Sequence, residues 1–175
     1  MIQTHRLFTV ILCLLATALS TYSNGAQAHG YISKPESRAL LCKQGGNQNC
    51  GAVQWEPQSV EGPDRYPETG PVDGQIASAG NANFSEFNVQ TATRWSKVAV
   101  NTGATDFTWY FTANHRARDW RYYITKNGWN QNQVLTRASF DTAPFCVVDG
   151  KNERPPTSVT HRCQVPADKS GYHVI

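Results

Sequence analysis

The chain of 175 residues carries 16 lysines and arginines against 13 acidic residues, which gives a formal net charge of +3. So small a surplus, without a run of basic residues, argues against binding to nucleic acid or to an anionic membrane surface. The length and an apolar fraction of 39% are typical of one globular domain with a core of its own.

The first 28 residues have the layout of a secretory signal peptide. Arg6 precedes an apolar run over residues 7–19, which is too short to span a bilayer, and Ala26-Gln27-Ala28 is a small-x-small cleavage sequence. Cleavage there removes Arg6 and leaves a net charge of +2. No second apolar stretch reaches membrane-spanning length, so we expect a secreted, extracellular protein of residues 29–175. We expect this protein to be a monomer.

Cleavage after Ala28 would make His29 the first residue of the mature protein. One residue would then carry a free α-amine and an imidazole, and the amine nitrogen and ring Nδ1 can chelate one metal ion. An α-amine with a pKa of about 7.7–8.0 is available near neutral pH. A histidine can also stand first by chance, so a metal site needs support from other residues.

A long irregular stretch follows a short extended segment at residues 30–33. Residues 36–82 are rich in glycine and proline, and we expect short helices in them around 38–41 and 53–59. Ordered loops of this length often carry function.

The second half of the chain has the pattern of short strands separated by turns. We predict strands at 95–100, 107–115, 120–125 and 157–163, and the start of another at 172–175. This pattern favours an all-β, antiparallel β-sandwich with a long, partly helical loop insertion after the first strand. Because the sequence stops within the last predicted strand, we expect the C-terminal strand of the sandwich to be missing.

Four cysteines follow the signal peptide: Cys42, Cys50, Cys146 and Cys163. An even number in an oxidising compartment indicates disulfides. Sequence order suggests the pairs Cys42–Cys50 and Cys146–Cys163, although four cysteines allow three pairings. A zinc site is the alternative, but the chain has no Cys-x-x-Cys pair to support it.

The position of each histidine suggests its role. His115 ends the strongest alternating pattern, so it lies at the rim of a sheet, where a metal ligand is both accessible and well positioned. The alternative is a solvated surface histidine. His161 and His173 fall in the middle of predicted strands, where a structural role is favoured.

The long loop carries one aromatic residue with polar neighbours. Trp55 lies between Gln54 and Glu56, and such a ring can cover the apolar face of a sugar while amide and carboxylate groups bind its hydroxyls. The alternative is a tryptophan folded inward over the sandwich. The pattern alone favours a solvated loop face for the four loop carboxylates: Glu56, Glu61, Asp64 and Glu68.

Several motifs follow one another along residues 26–175. They include His29-Gly30-Tyr31, Gln54-Trp55-Glu56-Pro57-Gln58-Ser59-Val60-Glu61-Gly62, Asp73-Gly74-Gln75-Ile76-Ala77-Ser78-Ala79, Thr112-Ala113-Asn114-His115 and the run 166–175. With these motifs in this order, the chain resembles the chitin-binding type of bacterial lytic polysaccharide monooxygenase. The resemblance implies a fibronectin-III/immunoglobulin-like sandwich in which the long loop forms much of a flat binding face.

The resemblance also implies a site for one copper ion. Its ligands would be the amine and Nδ1 of His29 and Nε2 of His115, three nitrogen donors that suit Cu(II). Ala113 matches a small residue that crowds one axial position of the copper, and Glu61 matches a carboxylate behind the ligands; both are assigned to catalysis with the two histidines. We assign contacts with the polysaccharide to a set around Trp55: Trp55, Gln54, Glu56, Pro57 and Thr112.

The implied activity is copper-dependent oxidative cleavage of crystalline polysaccharide by hydroxylation at the glycosidic (anomeric) carbon. Chitin is the expected substrate and cellulose the alternative, with an external electron donor and oxygen or hydrogen peroxide as further partners. Relatives continue past residue 175 with a strand that bears an aromatic residue beside the copper, so we expect impaired turnover in this chain. The competing functions are a non-catalytic chitin-binding module or adhesin, and a copper carrier with no polysaccharide substrate.

Overall fold

A computed structural model describes residues 29–175, and the predicted signal peptide lies outside this range. Five strands form two antiparallel sheets: β1 (His29–Lys34), β2 (Gly103–Ala113), β3 (Ala117–Tyr122), β4 (Cys146–Glu153) and β5 (Ser158–Val165). One sheet has the strand order β1-β2-β5, and the other pairs β3 with β4. The predicted all-β, antiparallel sandwich is confirmed.

The two sheets pack through alternate side chains of their strands. In β2, Phe107 is buried whereas Tyr110 is exposed, because successive side chains point to opposite faces of a sheet. Phe107 packs against Tyr122 of β3 and Cys163 of β5. The predicted disulfide between Cys146 and Cys163 is present and joins β4 to β5.

The long loop between β1 and β2 builds a core of its own. The helix α1 (Arg38–Lys43) begins after Ser37, whose hydroxyl accepts a hydrogen bond from Leu40 N at 3.3 Å. Three 3₁₀ turns follow at Gly51–Gln54, Pro57–Ser59 and Ala82–Asn88, and a fourth lies near the C-terminal part at Arg137–Ser139. The loop core contains Ala39, Cys42, Cys50, Val53, Phe84, Phe87 and Trp95. The predicted Cys42–Cys50 disulfide is present within it. Within residues 29–175, no helix has the length and apolar character needed to cross a membrane.

The predicted strand at 95–100 is wrong. Trp95 is buried in the loop core, and its Nε1 donates to Val89 O at 2.7 Å. The guanidinium carbons of Arg38 and Arg94 lie 4.7 and 4.0 Å from the ring centroid. Residues 96–100 join no sheet in the described chain. The apolar pattern here reflects packing of the loop and not pairing between strands.

The predicted strand at 172–175 is also wrong. This segment is held by side chains and by one backbone bond, since Thr125 N donates to Val174 O at 2.9 Å. His173 therefore does not lie within a strand; its Nδ1 is 3.0 Å from Thr125 O. His161 does lie within a strand, β5, and is buried.

An apolar cavity of about 440 Å³ lies between β1 and the loop. Its wall includes Ile32 and Trp109 from the first sheet and Ile175 at the other side. Among the described strands, only β2 is paired along both of its edges. The additional C-terminal strand stays a prediction.

Candidate metal centre

The pairing of β1 with β2 brings the first residue of one strand to the last residue of the other. His29 lies opposite Ala113 in the antiparallel register. The hydroxyl of Thr112 donates to His29 O at 3.4 Å. His115 follows two residues after the end of β2, in the connection to β3. Both histidines therefore lie at the same end of the first sheet.

Gly30 allows His29 to approach β2 closely. A Cβ atom at this position would lie 2.6 Å from Phe111 Cδ1 and 2.9 Å from Tyr110 O. Only glycine fits so close to a neighbouring strand without displacing it. Gly30 is in the motif that begins at His29, but its role became visible only from the strand register.

Neighbours on both sides hold the segment that carries His115. Asn114 Nδ2 donates to Pro155 O at 2.9 Å, and an Arg116 guanidinium nitrogen donates to Asn152 O at 2.9 Å. Pro155 lies in the connection between β4 and β5, and Asn152 lies near the end of β4. His115 itself is half-buried. Sequence reasoning did not identify Asn114 and Arg116, because their partners are distant in the chain.

The loop brings a carboxylate to the two histidines. Glu61 Oε1 lies 4.0 Å from His29 Nδ1, which is too far for a hydrogen bond. Burial raises the pKa of the Glu61 carboxyl, while His29 and His115 both act to lower it, with burial the larger effect. In the described part of the chain, this oxygen is the one buried side-chain N or O atom without a hydrogen-bond partner. A buried carboxylate oxygen in this position calls for a proton, a water molecule or a cation.

The donors present fit a copper ion. Within residues 29–175, no group of three or more His, Cys, Asp or Glu side chains is placed to hold a metal. A site made from two imidazoles and an amine does not need such a group, and three nitrogen donors suit the tetragonal preference of Cu(II). The buried Oε1 atom of Glu61, which has no hydrogen bond and lies 4.0 Å from His29 Nδ1, supports the same fit.

The residues predicted to contact polysaccharide do not all reach the surface. Trp55 is 79% exposed, so it is not folded inward, and its backbone N donates to Ala52 O at 3.0 Å at the end of a 3₁₀ turn. Thr112 is also exposed, whereas Gln54 and Glu56 are half-buried. Pro57 is fully buried and lines the cavity beside β1. The structure therefore gives Pro57 a packing role under the loop in place of a substrate contact.

Comparison with known proteins identifies the family to which the chain belongs. The model of a family described as lytic polysaccharide mono-oxygenase, cellulose-degrading, matches residues 29–175. GlcNAc-binding protein A of Shewanella oneidensis is 59% identical over 166 residues, which cover 94% of this chain and 35% of that protein. GlcNAc-binding protein A of Vibrio vulnificus is 54% identical over 172 residues, covering 93% and 35%. The chain spans about a third of the length of these curated relatives.

Solved structures are similar over most of the described chain. An AA10 lytic polysaccharide monooxygenase from Photorhabdus luminescens matches with a TM-score of 0.81 and 43% identity, covering 83% of this chain and 85% of that one. A CBM33 protein from Bacillus amyloliquefaciens in complex with Cu(I) matches with a TM-score of 0.76 and 41% identity, covering 83% and 86%. The chain belongs to the AA10 family of lytic polysaccharide monooxygenases, a copper-dependent family.

Proposed function

We propose that this chain is a copper-dependent enzyme that cleaves crystalline chitin by oxidation at the glycosidic carbon. The observation that carries the proposal is the meeting of His29, His115 and Glu61, whose buried Oε1 atom has no hydrogen-bond partner. The names of the GlcNAc-binding relatives support chitin as the substrate. Cellulose is the alternative, supported by the description of the family model.

Processing after Ala28 completes the proposed ligand set. It releases the α-amine of His29, which binds copper together with Nδ1 of the same residue and Nε2 of His115. When bound, copper supplies the one-electron redox chemistry by which oxygen or hydrogen peroxide, with an external electron donor, oxidises a C–H bond. Members of the family are secreted bacterial proteins. Secretion of this chain would remove the signal peptide before His29 and would bring the protein to solid polysaccharide.

Two further side chains shape the site from within. Ala113 lies opposite His29 in the ladder, which supports its assignment as the small residue that crowds one side of the proposed ligands. Glu61 Oε1 is shielded from water, and burial raises the pKa of this carboxyl. It can therefore hold a proton, or orient a donor group, at a point 4.0 Å from His29 Nδ1.

The exposed surface around Trp55 supplies the proposed contact with the polymer. Its indole ring can cover the apolar face of a sugar ring. Thr112, exposed beside His29, carries a hydroxyl that can bind those of the substrate. An open surface suits a crystal face, since a polymer packed in a crystal cannot enter a cleft.

Product analysis tests the proposal. Mature protein beginning at His29 is incubated with β-chitin, copper and a reductant, and the soluble products are analysed by mass spectrometry. We expect oligosaccharides that carry an oxidised end, and none from the His115→Ala variant. If the mature, copper-loaded protein releases no oxidised products from either chitin or cellulose, the proposed activity is wrong.

A non-catalytic chitin-binding module is the second candidate, favoured by the names of the curated relatives. Such a module needs no copper. It would bind chitin equally well with His29 and with His29→Ala, and it would yield no oxidised products.

A further inference from the structure

The motif Asp73–Ala79 has no part in the site as described, yet it meets the residue that follows Glu61. A Cβ atom on Gly62 would lie 2.4 Å from Ala79 O and 3.2 Å from Ala79 Cβ. No side chain fits at that distance from a backbone carbonyl, so either Gly62 or Ala79 would have to move. The backbone at Gly62, directly after Glu61, therefore lies in close contact with Ala79.

Ala79 is itself held in an unusual conformation. Its φ angle of +56° lies in the left-handed region, which favours glycine over alanine. Two turn hydrogen bonds enclose it: Ala79 N donates to Ile76 O at 3.1 Å, and Gly80 N donates to Gln75 O at 3.0 Å. The surrounding turn therefore determines the position of the Ala79 carbonyl.

The half-buried amide of Asn88 holds this turn through two hydrogen bonds. Asn88 Oδ1 accepts from Ser78 N at 3.0 Å, and Asn88 Nδ2 donates to Ser78 Oγ at 3.0 Å. Ser78 is 1% exposed, and its hydroxyl also donates to Gln75 O at 3.1 Å. Asn88 ends a 3₁₀ turn whose Phe84 and Phe87 belong to the loop core. A continuous series of contacts thus connects that core to Gly62.

We propose that Gly62, Ala79 and Asn88 are positioning residues that set the place of the Glu61 carboxylate beside the metal centre. Asn88 holds Ser78, the turn directs the Ala79 carbonyl, and that carbonyl fixes the backbone at Gly62. Glu61 Oε1 then lies buried 4.0 Å from His29 Nδ1. The inference rests on the proposed copper-dependent activity and adds the residues that make Glu61 effective in it.

If Gly62 had only a structural role, we would expect a different result. Gly62→Ala would then lower stability and leave the chemistry of correctly folded molecules unchanged. Positioning requires that the effect pass through Glu61, so a double-mutant cycle with Glu61→Gln separates the two possibilities. A control glycine is available at Gly103, where φ is +84° and no atom lies within 4 Å of an added Cβ. Gly103 begins β2, at the end opposite to Ala113, so Gly103→Ala adds strain far from the site.

The experiment compares mature Gly62→Ala, Gly103→Ala, Glu61→Gln and the Gly62→Ala/Glu61→Gln double variant. For each we measure the melting temperature, Cu(II) affinity by calorimetry, the Cu(II) electron paramagnetic resonance spectrum, and the rate of chitin oxidation. We expect Gly62→Ala to lose about 10- to 100-fold in rate, the scale of a misplaced catalytic group. Its copper spectrum should change while its copper affinity stays within about threefold, because the ligands are intact. The double variant should be no slower than Glu61→Gln alone.

Three results would overturn the inference. In the first, Gly62→Ala matches Gly103→Ala in rate and in copper spectrum at equal folded concentration. In the second, the rate losses of Gly62→Ala and Glu61→Gln multiply in the double variant. The third applies if Gly62→Ala does not fold. The variant Asn88→Ala then takes its place, because it removes the hydrogen bonds to Ser78 without a steric clash. An unchanged copper spectrum and an unchanged rate of chitin oxidation in Asn88→Ala would overturn the inference. Failure of the proposed activity is recognised separately, by an inactive wild-type protein, and the copper spectra still report on Glu61 in that case.

Discussion

The hydroxyl of Tyr122 and Nδ1 of His161 share a 2.7 Å hydrogen bond between the two sheets. Trp109 Nε1 donates to the same hydroxyl at 2.9 Å, so this hydroxyl links Trp109 and His161 between the sheets. Burial raises the pKa of Tyr122 to about 12 and lowers the pKa of His161.

This arrangement predicts a loss of stability in mild acid. The unfolded chain has a histidine pKa of about 6.5, whereas the folded value for His161 is lower. The unfolded state therefore binds the proton more readily as the pH falls below 6.5, and the free energy of unfolding decreases in that range. Above pH 6.5 this contribution is fully present. Melting temperatures measured between pH 5 and 8 check the prediction.

The control for this experiment is His161→Gln, which keeps a polar side chain but cannot titrate. We expect its melting temperature to vary less with pH between 5 and 6.5 than that of the parent. An equal pH dependence in both proteins would assign the acid sensitivity to other groups.

Processing of the N-terminus is predicted to control copper affinity. A protein that retains one residue before His29 has a peptide nitrogen in place of the free amine and so loses one chelating donor. We expect its Cu(II) affinity to fall by at least about 100-fold, or about 2.7 kcal/mol. Calorimetric titration of the two forms, with equal melting temperatures as a check on folding, measures the difference. Equal affinities would remove the amine from the ligand set.

Regular alternation made part of the fold predictable from sequence. The pattern from Phe107 to His115 predicted β2, which the structure places at Gly103–Ala113, and sequence order suggested both disulfides. The strand β4 has no such alternating pattern in its sequence. The backbone at Lys151 and Asn152 has φ angles of 53° and 54°, which are typical of a turn and interrupt the regular strand. The opposite error occurred at Trp95, where we predicted a strand that is not present, because Trp95 packs in the loop core.

Residues of the candidate metal centre could be predicted only where they belong to a recognisable sequence motif. His29 and His115 stood in recognisable motifs, but their approach depends on the register that pairs His29 with Ala113. The contact between Gly62 and Ala79 joins two parts of an irregular loop, for which no periodic pattern exists. Burial of Pro57 likewise follows from how the loop folds over β1.

The two proposed metal-binding histidines, His29 and His115, should be distinguishable from His161 and His173, to which we assign structural roles. His115→Ala removes a proposed ligand, so we expect calorimetry to detect no tight Cu(II) binding. His161→Ala and His173→Ala should keep the affinity of the parent and lower the melting temperature. His161 is buried in β5, and His173 Nδ1 and Nε2 lie 3.0 and 3.1 Å from Thr125 O and Ser170 O. An unchanged titration for His115→Ala would refute its assignment as a ligand.

Trp55 is predicted to act in substrate binding alone. Because its side chain is 79% exposed, replacement by alanine should leave the melting temperature and the Cu(II) spectrum unchanged. Loss of an aromatic platform, with about 0.5–1.5 kcal/mol beyond its area, should weaken adsorption to chitin roughly two- to twelvefold. Adsorption isotherms on β-chitin measure this, with Val134→Ala as the control because Val134 is a 48% exposed apolar residue outside the predicted contact set. If Val134→Ala weakens adsorption as much as Trp55→Ala, or if Trp55→Ala alters the copper spectrum, the role assigned to Trp55 is wrong.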